Sequence, residues 1–308
     1  MHDIHNDFEI ENILEENRKR HEIINAPYNP VTGLGAVGER KKISIKDSPI
    51  GDMYLPVELI KENLFIRRLA KYGFKGYIIR FIKEVEYSEE ALNQLWIEFI
   101  KYRIIYDFEY WAYSFIFIKD KVSPKDIPFK LNRAQRRVLN KLEKLRKAGK
   151  PIKFILLKAR QWGGSTLVQI YMLWIMLVHR RNWNTVICGD VETQSRNVRA
   201  MITKALNKYP SYLLGETVKF TPFEGSSKNK VIQNTNCVVS IGSFQKPDTL
   251  RSGDISGAHL TEIGLWRATP GKKPEDLIQS ISGSIYDTAY TILGLESTAK
   301  GVGNFFHR

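Results

Sequence analysis

Cysteine is scarce in this chain: Cys188 and Cys237 are the two present among 308 residues. Both sit in apolar runs, Val186-Ile-Cys-Gly189 and Cys237-Val-Val-Ser240. That excludes a disulfide framework or a thiolate metal site and reads as two small buried hydrophobes in a reducing compartment. Long apolar runs are missing too. The most apolar one, Ile170 to Val178, falls well short of the ~20 residues that a membrane-crossing helix needs, and reads as a core helix packed on both sides. The first residues are polar and charged, with no signal-peptide pattern. Acidic residues are outnumbered: 33 Asp and Glu against 47 Lys and Arg leave a net charge of +14. With 43% hydrophobic and 26% charged residues, the chain otherwise has the composition of an ordinary globular protein. The surplus favours a polyanionic partner, duplex DNA first, because neutralising phosphates releases condensed counterions. A basic protein kept soluble by self-repulsion is the alternative.

What is present is concentrated in Phe154-Ile-Leu-Leu-Lys-Ala-Arg-Gln-Trp-Gly-Gly-Ser-Thr-Leu167. An apolar strand runs into a Gly-rich turn and then a helix, the context in which backbone N–H groups and a positive helix end converge on a phosphate. The turn departs from G-x-x-x-x-G-K-[ST]. Lys158 stands where the first Gly belongs, and Gly164 where the Lys belongs. The displaced cation is therefore expected at Lys158 or Arg160. The backbone of Gln161, Trp162, Gly163, Gly164 and Ser165 is expected to cradle the β-phosphate of ATP. Ser165, followed by Thr166 in the opening turn, is expected to ligate Mg²⁺.

Downstream, Ile255-Ser-Gly-Ala-His-Leu-Thr-Glu-Ile263 reads as a strand ending in Thr261 and Glu262. ATP hydrolysis needs a group that orients the attacking water, and Glu262 fits that role. A helix N-terminal acid is the bland reading of the same residue. Thr261 occupies the place of a magnesium-binding Asp, so metal contact there would be weaker or water-mediated. A third segment, Tyr290 to Thr298, ends in the hydroxyl pair Ser297 and Thr298. Upstream, Pro128-Phe-Lys-Leu-Asn-Arg-Ala-Gln135 reads as a loop entering a helix, with Gln135 placed to read an adenine edge.

These four elements, in this order, resemble the ATPase half of the large terminase subunit of tailed bacteriophages. Lys158-Ala-Arg-Gln-Trp-Gly-Gly-Ser-Thr166 is similar to its deviant Walker A, and Leu260-Thr-Glu262 to its Walker B. Glu296-Ser-Thr-Ala-Lys-Gly301 is similar to its coupling motif, and Gln135 to its adenine-binding Gln. The likeness covers roughly residues 105 to 308, about one domain. It implies an α/β, P-loop (ASCE-type) fold, a mainly parallel sheet flanked by helices, preceded by a helical N-terminal subdomain. It also implies ATP and Mg²⁺ as ligands, Glu262 as a catalytic group and Thr298 as a γ-phosphate sensor. Arg251 lies near the position of a trans-acting arginine, with DNA or Asp254 as alternative partners. The implied partners are double-stranded DNA, a portal protein, a small terminase subunit and further copies in a homo-oligomeric ring. The implied setting is the host cytoplasm, transiently at the procapsid portal, with no membrane. Such proteins continue into a nuclease domain; the chain given ends at Arg308, and no nuclease activity is expected from it. A nucleotide-binding or DNA/portal-docking module with little ATPase activity remains the second function class. A helicase with a second motor domain finds no motif support.

Two regions are expected: a helical stretch with an extended Pro/Gly arm over 1–125, and a P-loop ATPase domain over 126–308. Gly33-Leu-Gly-Ala-Val-Gly38 matches G-x-G-x-x-G, but no strand precedes it and no helix follows, so it reads as a turn or arm. Apolar spacing predicts helices over Val57–Tyr72, Tyr77–Val85 and Ser88–Asp107, the last with a face of Leu92, Leu95, Ile97, Phe99 and Ile100. Leu131 to Lys153 holds nine basic residues against Glu143 alone, either a solvated helix face or a surface for DNA or a partner. Strands are then predicted at 154–158, 185–189, 218–220, 230–233, 237–243, 258–260 and 289–295, with helices at 165–180 and 193–209. This alternation implies a mainly parallel sheet covered on both faces, with the phosphate turn, Glu262 and Thr298 meeting at the edge where strands end.

Overall fold

The computed structural model describes residues 4–82, 87–120, 122–246 and 254–307. In chain order the elements are α1 (Ile4–Asn25), β1 (Arg40–Ser44), β2 (Asp52–Pro56), α2 (Val57–Glu62), α3 (Leu64–Phe81), α4 (Glu89–Tyr106) and α5 (Phe108–Phe115). A short hairpin, β3 (Phe117–Lys119) and β4 (Asp126–Pro128), leads to α6 (Arg133–Lys147). Then come β5 (Ile152–Lys158), α7 (Gly164–Trp174), β6 (Thr185–Gly189), α8 (Glu192–Asn207) and α9 (Ser211–Leu214). The chain finishes with β7 (Phe220–Phe223), β8 (Ser226–Ile232), β9 (Cys237–Ser243), β10 (Gly257–Thr261), α10 (Pro274–Gly283) and β11 (Ile292–Thr298).

Seven strands form one sheet in the order β5-β11-β10-β6-β9-β8-β7. The first five are mutually parallel, and β8 and β7 add as an antiparallel meander. The fold is therefore mixed α/β with a mostly parallel central sheet, in keeping with the strand–helix alternation. Side chains alternate between faces along each strand. On one face Ile152, Val239, Ile241 and Ile292 join α7, whose residues Leu167 to Trp174 are all buried. On the other, Val186, Cys188, Ala258 and Leu260 pack with Leu277 and Ile281 of α10. Coverage is incomplete at the β5 edge, where Ile155 and Leu157 are 73% and 65% exposed. The sequence pattern implies two covered faces, but among the described residues the outer face of β5 stays open.

The N-terminal helices share the first of these cores. Phe108, Tyr171 and Trp174 make a ring cluster with centroids 5.3 to 5.6 Å apart, and Trp174 donates to the Ile104 carbonyl at 2.8 Å. Where apolar spacing predicts a single helix over 57–72, Asn63 interrupts it and caps α3 by accepting from Ile66 N at 3.2 Å. The gap expected before Tyr77 is replaced by a kink at Gly73 (φ 70°). A Cβ there would lie 2.9 Å from the Lys46 carbonyl oxygen, so only Gly lets that loop approach. The Gly33–Gly38 segment is a turn with positive φ at all three glycines. The last strand starts at Ile292 rather than 289 and runs on to Thr298, past the 295 of the strand pattern and through the hydroxyl pair.

An ion cluster joins this region together. Asp107 caps α5 and accepts both Arg40 guanidinium nitrogens at 2.9 Å and Arg103 Nε at 3.1 Å. All three side chains are buried. Burial opposes ionisation of Asp107, yet the two guanidinium charges hold its carboxyl below the usual range. Asp107→Ala leaves two buried cations without their counter-ion and is expected to cost roughly 3–5 kcal/mol. Urea unfolding of the variant, compared with Asp52→Ala at an exposed pair, checks this.

Candidate nucleotide-binding site

The parallel register brings three strand ends to one place. Lys158 closes β5 opposite Thr298 on β11, and Thr261 closes β10 opposite Glu296 on the same strand. Beyond β5 the chain turns through Gln161 (φ 65°) and Gly163 (φ 81°) into α7. Gly163 is the helix N-cap and offers no side-chain hydrogen bond, so the opening N–H groups of α7 are left to a ligand. The turn is pinned from behind by α6. Asn132 Nδ2 donates to the Trp162 carbonyl at 2.8 Å, and Gln135 Nε2 donates to the Gly163 carbonyl at 2.9 Å. These same two residues form the capping box of α6.

Gln135 is thus 4% exposed with both ends of its carboxamide engaged. The sequence suggests adenine reading for it; in the structure its Nε2 holds the turn and its Oε1 accepts from Asn132 N. Arg160 and Gln161 in that turn are exposed, and Trp162 and Thr166 are half-buried. Arg251 lies outside the described residues.

Inside the turn the polar groups form one network. Lys158 is 7% exposed and its Nζ sits 2.9 Å from Glu262 Oε1 and 3.9 Å from Glu296 Oε1. Of the two cations expected to replace the displaced Lys, this one lies among the carboxylates. Glu262 follows β10 in a left-handed conformation (φ 56°, ψ 37°) that a non-Gly residue adopts at a cost of about 1–2 kcal/mol. Its second oxygen accepts from Thr298 Oγ1 at 3.2 Å. Glu262 therefore connects the cation of the first strand to the hydroxyl of the third and caps no helix of its own by a side-chain bond.

Glu296, to which the sequence pattern assigns no role of its own, lies at the centre. It is fully buried; its Oε1 accepts from the hydroxyls of Ser165 and Thr261, the latter at 2.6 Å. His259 Nε2 lies 3.3 Å from the same oxygen, and Gln169 contacts the other imidazole nitrogen at 3.4 Å. Burial would raise the Glu296 carboxyl, but the nearby His259, Lys158 and Ser165 outweigh it and bring it down to about 2. The available signal was its phase: Ile292, Gly294 and Glu296 share one face of β11, and a carboxylate in a buried phase demands partners. Ser165, Thr166, Thr261 and Glu262 line a cavity of about 280 Å³ together with Gln194 and Asn197 of α8. Its lining includes the hard oxygen donors of Ser165, Thr166, Thr261 and Glu262, and behind it Glu296 Oε2 is buried without a hydrogen-bond partner. That donor set suits Mg²⁺.

No protein-family model and no curated protein matches the chain. Solved structures do. The chain is similar to the large terminase of bacteriophage HK97, at 21% identity over 64% of this chain and 37% of that one, with a TM-score of 0.49. It is similar to the large terminase ATPase domain of Thermus phage P74-26, at 14% identity over 53% of this chain and 66% of that one, TM-score 0.36. A third is a large terminase from a thermophilic bacteriophage in complex with ADP, at 13% identity, covering 54% of this chain and 38% of that one, TM-score 0.36. The chain spans less than two thirds of each of these proteins. At such identities the role of each residue rests on this chain's own geometry.

Gly163 combines a positive φ with a backbone that passes close to Gln135; a Cβ would stand 2.7 Å from Nε2. Gly163→Ala is expected to cost at least about 1–2 kcal/mol and to displace the turn. Calorimetric unfolding should show the loss, and nucleotide affinity should fall with it.

Proposed function

We propose that the chain is an ATP-hydrolysing motor subunit that moves double-stranded viral DNA into a procapsid. The observation that supports it best is the placement of Glu262 between Lys158 and Thr298 at the mouth of an uncapped helix. A triphosphate entering the turn meets the α7 N–H groups and competes with Glu262 for Lys158. As Lys158 turns to the phosphate oxygens, Glu262 gains an oxygen with which to orient a water for in-line attack. Thr298, bonded to Glu262, registers the presence or loss of the γ-phosphate and passes it to the segment after β11. Ser165 and Thr261 would hold Mg²⁺, which would supply positive charge to offset that of the phosphates.

The DNA part of this reading rests on the +14 charge and on the motif order. The basic residues of α6 divide in a way that fits it. Arg146 is buried against Glu143, and Arg136 is bonded to the Gly35 carbonyl. Arg137, Lys141 and Lys144 lie exposed, where a phosphate backbone can reach them. The same proposal includes a homo-oligomeric ring on a portal protein, loading by a small terminase subunit, and Arg251 acting on a neighbouring copy's nucleotide.

A DNA-stimulated ATPase assay tests the proposal. Glu262→Gln is expected to lower turnover by about 10²–10⁴-fold while nucleotide binding persists. Absence of turnover by the unaltered chain in every oligomeric state would instead favour a nucleotide-binding or docking module.

A further inference from the structure

The geometry assigns to Glu296 the positioning of the magnesium ligands, a task that a carboxylate at residue 261 would perform if this chain had one there. The assignment rests on the nucleotide reading above and concerns how the metal half of that site is built.

Residue 261 is a Thr, so β10 ends without an acid beside Ser165. Its register partner on the neighbouring strand is Glu296. Adjacent parallel strands lie about 4.8 Å apart, and Glu is long enough to span that gap, so the carboxylate reappears one strand over. It takes the protons of both cavity-lining hydroxyls: Ser165 Oγ and Thr261 Oγ1 donate to the same Oε1. A hydroxyl that donates its proton backwards is left with only lone pairs to present forwards. Both oxygens thereby become acceptor-only ligands suited to a hard cation. Glu296 itself is fully buried, so it acts through these two hydroxyls and from behind the metal.

The surroundings hold the carboxylate in place for this purpose. Lys158 Nζ at 3.9 Å and His259 at 3.3 Å supply positive charge or a donor, and Gln169 fixes the far side of the imidazole. A buried acid that served packing alone would be matched on both oxygens. Here four groups crowd Oε1, while Oε2 has no hydrogen-bond partner. The arrangement is directed at Ser165 and Thr261.

The test measures dissociation constants of a non-hydrolysable ATP analogue on the full chain, with Mg²⁺ and with EDTA. The unaltered protein is expected to bind more tightly with Mg²⁺. Glu296→Gln should keep the EDTA affinity and lose about 10–100-fold of the Mg²⁺ enhancement. Thr261→Asp combined with Glu296→Gln, which returns the carboxylate to β10, should restore it. Full Mg²⁺ enhancement in Glu296→Gln, or none in the unaltered protein that nevertheless binds the analogue, would overturn the assignment and leave the nucleotide reading intact. No analogue binding by the unaltered protein in either condition would overturn both. If Glu296→Gln fails to bind in EDTA because it does not fold, the double variant decides: an Mg²⁺ enhancement supports the assignment, and its absence overturns it.

Discussion

Lys158 is the point at which three strands of the sheet are joined electrostatically. It ends β5 and faces the acid that follows β10 and the acid within β11. An ammonium that is only 7% exposed persists as a charge only when paired, and two carboxylates provide that pairing. In turn, the ammonium faces Glu262 at 2.9 Å and Glu296 at 3.9 Å. Glu296 is fully buried, and Glu262 occupies a left-handed backbone conformation that something must hold in place. At the strand edge Lys158 is shared by two carboxylates, and His259 adds to the surroundings of Glu296.

This constraint accounts for both departures from the usual phosphate-loop pattern. The Lys missing before Ser165 is replaced by Lys158 at the end of the preceding strand, which reaches the interior of the same turn. The acid missing at 261 is offset by one on the adjacent strand, aligned with it by register. The two changes meet in space, with Lys158 Nζ 3.9 Å from Glu296 Oε1. Together they place a cation, two carboxylates and three hydroxyls in one network, as the proposed function requires. The turn that surrounds them has no freedom to collapse, because Asn132 and Gln135 hold its carbonyls from the start of α6.

Much of this was legible in the sequence where local patterns decide structure. Apolar runs of Val and Ile fixed β6 and β9 at their observed bounds, since a doubly covered parallel strand has little choice of phase. The strand–turn–helix around Gly163 and the acid after β10 were equally clear. What escaped was set by contacts distant in sequence. The β1 and β2 hairpin is short, with a polar first strand, and its Arg40 bonds Asp107, far along the chain. The kink at Gly73 depends on the approach of Lys46. Glu296 was visible as part of a motif, but its role requires knowing that β11 lies between β5 and β10. Gln135 has a residue type suited to a base edge, and only the fold reveals that its Nε2 donates to the Gly163 carbonyl.

In this scheme the cation belonging to the phosphates is Lys158, borrowed from Glu262. A crystal structure of the protein with Mg²⁺ and a non-hydrolysable ATP analogue tests that assignment most directly. Lys158 Nζ is expected on a β- or γ-phosphate oxygen, its contact with Glu262 broken and Thr298 still beside that acid. A triphosphate bound with the Lys158–Glu262 pair intact, its charge met by Arg160 instead, would contradict it.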